Sequence, residues 1–112
     1  MSKRDDKLLV DDIIQSFRKI QNYTNGISYD NFLNSDIVID AVIRNFEIAR
    51  EASNYISNQF KLAHPHVQWQ LLTDFRNKLI HHYFGVDYEI VWNAIKNDID
   101  KHLELLEIIL QR

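Results

Sequence analysis

Arg76, Asn77, His81 and Tyr83 share one short stretch, Asp74-Phe75-Arg76-Asn77-Lys78-Leu79-Ile80-His81-His82-Tyr83-Phe84-Gly85. Their side chains suit acid and base chemistry at a phosphate. Histidine titrates near neutral pH, so His81 can give or take a proton, and the planar, permanently charged fork of Arg76 matches phosphate oxygens. Asn77 can hold the phosphate or orient His81. Lys78 and the paired histidine His82 add local positive charge, which Asp74 dilutes.

The stretch has to be held by a helix. Leu72, Phe75, Leu79, Ile80 and Tyr83 recur at helical spacing, and Gly85 is placed to end the run. Arg76 projects about 40° from the centre of that apolar face, where an unpaired charge is expensive, so it needs a partner or a task. On an ideal helix Arg76 and His81 differ by about 140° in azimuth and about 7.5 Å in rise, so one copy does not aim both at one ligand. Two copies meeting across a two-fold axis would bring two arginines and two histidines to one cleft. Tyr83 projects about 20° from Arg76. Taken singly, these residues also fit a structural role: Arg76 paired with Glu47 or Asp74, His81 against the helix dipole, Tyr83 as a core tyrosine with a satisfied hydroxyl.

The rest of the chain reads as further helices. Residues from about 4 to 24 carry the stripe Leu9, Ile13, Phe17, Ile20 and Tyr23 or Thr24, ended by Asn25-Gly26. Ser28 to Leu33 is a short connector. Asn34 or Ser35 can cap a long helix to about Gln59, with Ile39, Val42, Phe46, Ala49 and Ile56 inward and a ladder of Arg44, Glu47, Arg50, Glu51 and Asn54 outward. Arg50 belongs to the solvated face in this pattern. His64-Pro65-His66 forces a loop, and the helix carrying the signature runs from Val67 or Gln68 to about Phe84, anchored by Trp69. Asp87 can cap a last helix over residues 88 to 111, striped by Val91, Trp92, Ile95, Ile99, Leu103, Leu106 and Leu110. Ile108 and Ile109 widen that stripe and suggest a second apolar contact, such as another subunit.

Composition sets the limits. With 112 residues, two glycines and one proline, the chain is predicted to form one all-helical domain over 1–112. It has no cysteine, which excludes disulfides, thiol nucleophiles and thiolate metal sites and fits a reducing cytoplasm. No apolar run is long enough to span a membrane. A net charge of −3 gives no global attraction for nucleic acid, so any RNA contact must be local. His64 and His66 can supply half of a metal site, but no spacing specifies convergent ligands, and no metal or cofactor is expected. His102 sits on the last helix, and the tryptophans are core before they are stacking platforms.

Arg76, four residues, His81, one residue and Tyr83 match the Arg-x4-His-x-Tyr signature of HepT-like HEPN proteins. The tail His81-His82-Tyr83-Phe84-Gly85-Val86-Asp87, Arg44-Asn45-Phe46-Glu47 upstream and Ile90-Val91-Trp92 downstream also resemble that family, over essentially the whole chain. The resemblance implies an up-down HEPN bundle of four to five helices acting as a homodimer. It implies a metal-independent endoribonuclease acting on RNA rather than DNA, with Arg76, Asn77 and His81 catalytic and Glu47, Arg44, His82 and Lys78 lining the site. It further implies a cytoplasmic toxin whose Tyr83 receives AMP from a cognate minimal nucleotidyltransferase antitoxin. The alternative is a non-catalytic helical subunit that binds nucleotide or substrate for such a transferase.

Overall fold

The computed structural model describes residues 5–70, 72 and 87–111. Helix α1 (Asp6–Thr24) begins where the Asp5 carboxylate accepts the Lys7 N–H at 2.8 Å. Its stripe Leu9, Ile13, Phe17 and Ile20 is buried, widened by Val10 and Ile14. Thr24 rather than Tyr23 completes it, because the Thr24 hydroxyl donates to the Ile20 carbonyl at 2.8 Å and so enters the core satisfied. Gly26 follows at φ 76°, the left-handed conformation that ends helices most easily without a Cβ. The short α2 (Tyr29–Leu33) is capped by Ser28, whose Oγ accepts the Asn31 N–H at 3.1 Å, and it inserts Phe32 into the core.

Helix α3 (Asp36–Tyr55) is capped by Ser35, which accepts the Val38 N–H at 3.3 Å. The sequence pattern predicts continuation to about Gln59, but the helix stops at Tyr55 and Ile56 is extended. A contact distant in sequence explains the break. Ser57 donates its N–H and its hydroxyl to the two carboxylate oxygens of Asp6, at 3.0 and 2.8 Å. Its Oγ also accepts the Phe60 N–H at 3.1 Å, capping a separate helix α4 (Asn58–Ala63). Ile56 remains buried across the break.

The last helical run also departs from a continuous α-helix. It consists of α5 (Tyr88–Asn93), a π-helical turn over Ala94–Asp98, and α6 (Ile99–Leu110). Val91, Ile95, Ile99 and Leu103 are all buried although they recur strictly every fourth residue. On an α-helix each such step drifts about 40°, so three steps would carry the stripe about 120° around the axis. A turn closed by i→i+5 hydrogen bonds holds more residues and returns the stripe to the core. Ile109 is buried in this same core, so it requires no second contact, whereas Ile108 is exposed.

α1 is the central element. It packs along α3 and against α6. The start of α1 meets the end of α3 through Asp6 and Ser57, while further along α1 Arg18 pairs with Glu107 near the end of α6 and Gln21 bonds to Asp100 near its start. Both neighbours therefore run antiparallel to α1, which makes an all-α, up-down bundle of the HEPN kind. Phe17 lies where they converge, with the rings of Phe46 and His102 each 6.2 Å from its own. No described helix is long and apolar enough to cross a membrane.

Candidate functional site

The signature residues Arg76, Asn77, Lys78, His81, His82 and Tyr83 lie outside the described residues. What the structure gives is the frame on either side of them. On the entry side, Pro65 and His66 form a turn and helix begins at Trp69, after Gln68. The buried Trp69 donates its indole N–H to the His64 carbonyl at 3.1 Å, so an apolar anchor also carries the loop. Phe60 packs on both: its ring lies 4.5 Å from that of His64 and 6.4 Å from that of Trp69. His66 stacks edge-on to His64 at 5.8 Å, so these two histidines form part of an aromatic loop cluster. Leu72, one turn beyond Trp69, is buried.

On the exit side, Asp87 accepts the N–H groups of Glu89 and Ile90 at 3.1 and 3.3 Å and starts α5, as its sequence position predicts. Trp92 then packs against Phe32 at 5.1 Å and Tyr29 at 5.7 Å, with the Lys96 ammonium 4.6 Å above its ring. That cation–π contact lies on the π-helical turn. The described residues on either side of the signature thus carry aromatic packing: Trp69 is buried on the entry side, and Trp92 is partly buried against the buried Phe32 on the exit side.

Of the site-lining candidates, Arg44 and Glu47 are described, and both are exposed on α3. Neither makes a hydrogen bond or ion pair with a described residue. Arg50 corrects the sequence reading. It is half-buried rather than solvated, and its Nε is fully shielded from water with no acceptor. The signal was present in the spacing: Arg50 projects about 40° from Phe46 and about 60° from Ser53, both buried. A ladder of alternating charges disguised that position as one more solvated residue. His102 is also buried, against Phe17; burial lowers its pKa, Asp98 partly offsets this and Lys101 adds to it.

Comparison with known proteins places this frame. A family model described as ribonuclease HepT-like matches residues 13–109, a span that contains the whole signature. A protein of Methanocaldococcus jannaschii named "Putative RNase MJ1380" is 42% identical over 109 residues, covering 97% of this chain and all of the relative. A Thermococcus cleftensis protein named "Probable ribonuclease HepT" is 41% identical over 97 residues, covering 87% of this chain and 88% of its own. No solved structure matches the chain. The chain belongs to the HepT-like ribonuclease family, whose chemistry is endonucleolytic and whose substrate class is RNA.

Proposed function

We propose that the protein is the toxin half of a toxin–antitoxin pair: a cytoplasmic, homodimeric endoribonuclease that cleaves RNA without a metal and is silenced by AMP transfer to Tyr83. The carrying observation is the family match over residues 13–109, within which Arg76, Asn77, His81 and Tyr83 stand at the signature spacing. The whole chain 1–112 acts as one domain in this reading.

The chemistry follows from the residue types. A ribose 2′-hydroxyl attacks the adjacent phosphorus as a base removes its proton, the 5′ oxygen leaves as an acid protonates it, and positive charge stabilises the phosphorane between them. One His81 serves as base and its two-fold mate as acid. Arg76 neutralises the phosphorane oxygens, and Asn77 holds the phosphate or orients His81. The azimuth between Arg76 and His81 makes a dimer the natural way to assemble this set, with Arg44, Glu47, Lys78 and His82 at its margin. AMP on Tyr83 would add a phosphate beside Arg76 and exclude the RNA phosphate by charge and by occupancy. The cognate minimal nucleotidyltransferase is the partner that would install it; neither DNA nor a membrane is a partner.

The test is cleavage of RNA in EDTA by wild-type protein, Arg76→Ala and His81→Ala, with dimerisation confirmed for each. Activity in the wild type and its loss in both dimeric variants supports the reading. The net charge of −3 favours a second reading, a non-catalytic subunit that binds nucleotide or substrate for a transferase. An inactive, unmodified wild-type dimer would select it.

A further inference from the structure

Arg50 is a permanent cation held half inside the bundle without an anion among the described residues. Its Nε is shielded from solvent and has no acceptor, and no described carboxylate pairs with its guanidinium. Glu47, one turn earlier on α3, is exposed and does not reach it. One turn later, the fully buried Ser53 hydroxyl also lacks a hydrogen-bond partner. Burying a charge or a donor without a partner is unfavourable, and two such groups about 60° apart on one helix are harder to explain by packing than one.

Their position on α3 narrows the explanation. Ile48, Ala52 and Tyr55 border Leu9 and Asp12 of α1 along one flank of the helix. Arg50 projects about 160° from Ile48, hence away from that flank. The residue as a whole is only half-buried, so a side chain ordered by burial of its Nε edge still meets solvent. That is a pre-organised receptor for an oxygen anion, and arginine's fork suits phosphate best.

We propose that Arg50 binds a backbone phosphate of the RNA substrate and so sets affinity rather than the rate of bond breaking. The inference rests on the ribonuclease reading. RNA supplies the missing anion only while bound, which explains why the free protein keeps a poorly satisfied cation: the site is tuned for the complex at some expense to the free fold.

Two variants and three readouts test this. Arg50→Met keeps the length of the side chain without its charge, and Arg50→Lys keeps the charge without the fork. Affinity is measured with a fluorescein-labelled, fully 2′-O-methylated single-stranded RNA, which cannot be cleaved. Cleavage of the matching unmodified RNA gives KM and kcat, and thermal unfolding gives stability. We expect Arg50→Met to weaken binding about ten-fold, to raise KM to match, and to leave kcat within about two-fold. Arg50→Lys should fall between it and wild type. The slope of log affinity against log salt should shrink by about 0.7 in Arg50→Met, one phosphate contact on a single strand. Its thermal midpoint should equal or exceed that of wild type, because an unpaired cation has gone. Unchanged affinity with a lowered midpoint would overturn the proposal and make Arg50 a structural cation. A fall in kcat alone would also overturn it. Wild-type protein that cleaves no RNA would instead defeat the ribonuclease reading, and the proposal with it.

Discussion

Asp6 grips Ser57 with both carboxylate oxygens: Oδ1 accepts the Ser57 N–H at 3.0 Å and Oδ2 accepts its hydroxyl at 2.8 Å. The contact joins the first turn of α1 to the residue that caps α4, and it sits where α3 breaks. Asp6→Ala removes two partly buried, charge-assisted hydrogen bonds and should cost about 2 kcal/mol. Asp6→Asn, able to accept only one, should lose less. Urea denaturation checks the order: wild type, then Asp6→Asn, then Asp6→Ala. If Asp6→Ala matches wild type, Asp6 does not hold the junction.

Gly26 offers a cleaner backbone test. Its φ of 76° is left-handed, yet a Cβ built there meets no atom within 4 Å. Gly26→Ala should therefore cost about 1 kcal/mol from backbone strain alone, and Gly26→Asn less, because asparagine tolerates this region. Equal stability of Gly26→Ala and wild type would mean that the turn relaxes out of that conformation.

His102 gives the fold a pH dependence whose sign can be worked out. Burial against Phe17 lowers its native pKa below the ordinary 6.5, an effect that Asp98 opposes and Lys101 reinforces. Below 6.5 the unfolded chain binds a proton that the native state does not, so stability rises with pH in that window. The contribution is complete above 6.5 and is lost as pH falls from there through the lowered native value. Denaturation at pH 7.5 and 5.5 should show wild type losing more stability than His102→Phe. The comparison isolates His102, since the other histidines are common to both proteins. Parallel losses would refute the assignment.

The elements legible in the sequence were those fixed by neighbours along the chain. Ser28, Ser35 and Asp87 act as caps because each bonds to N–H groups two or three residues on, and Asn25-Gly26 ends α1 through its own backbone preference. Features set by distant contacts were not legible. The break after Tyr55 needs Asp6, the π-helical turn follows from an every-fourth-residue stripe being pulled to one core, and the burial of Arg50 and His102 comes from packing between helices. The candidate site divides in the same way. Its signature is legible by resemblance, and Trp69 and Trp92 on either side of it read as core, but only the structure shows that Arg50 is half-buried with no carboxylate paired to it among the described residues.

The dimer proposal predicts complementation. Arg76→Ala and His81→Ala homodimers should each lack cleavage activity. Mixed and allowed to exchange subunits, they form heterodimers with one intact Arg76 and one intact His81 around a shared cleft. Activity above that of either homodimer should return and grow with the heterodimer fraction measured by native mass spectrometry, but stay at or below roughly a hundredth of wild type, because the heterodimer keeps only one of the two His81 proton-transfer groups. Each monomer holding a complete site of its own would give no recovery, because every subunit in the mixture carries one lesion.

Tyr83 separates catalysis from silencing. If its hydroxyl is the AMP acceptor and not a catalytic group, Tyr83→Phe removes the acceptor while leaving Arg76, Asn77 and His81 intact. The variant should cleave RNA within about three-fold of wild type, since a single hydroxyl outside the proton-transfer set is removed. Incubation with the cognate nucleotidyltransferase and ATP should add AMP to the wild-type protein and stop its cleavage, with the new phosphate electrostatically close to Arg76. Under the same treatment Tyr83→Phe should keep its mass and its activity. Loss of cleavage in untreated Tyr83→Phe would move Tyr83 into the catalytic set. Modification of the variant at another residue would show that the acceptor lies elsewhere, and the wild-type protein would then be silenced by a different contact.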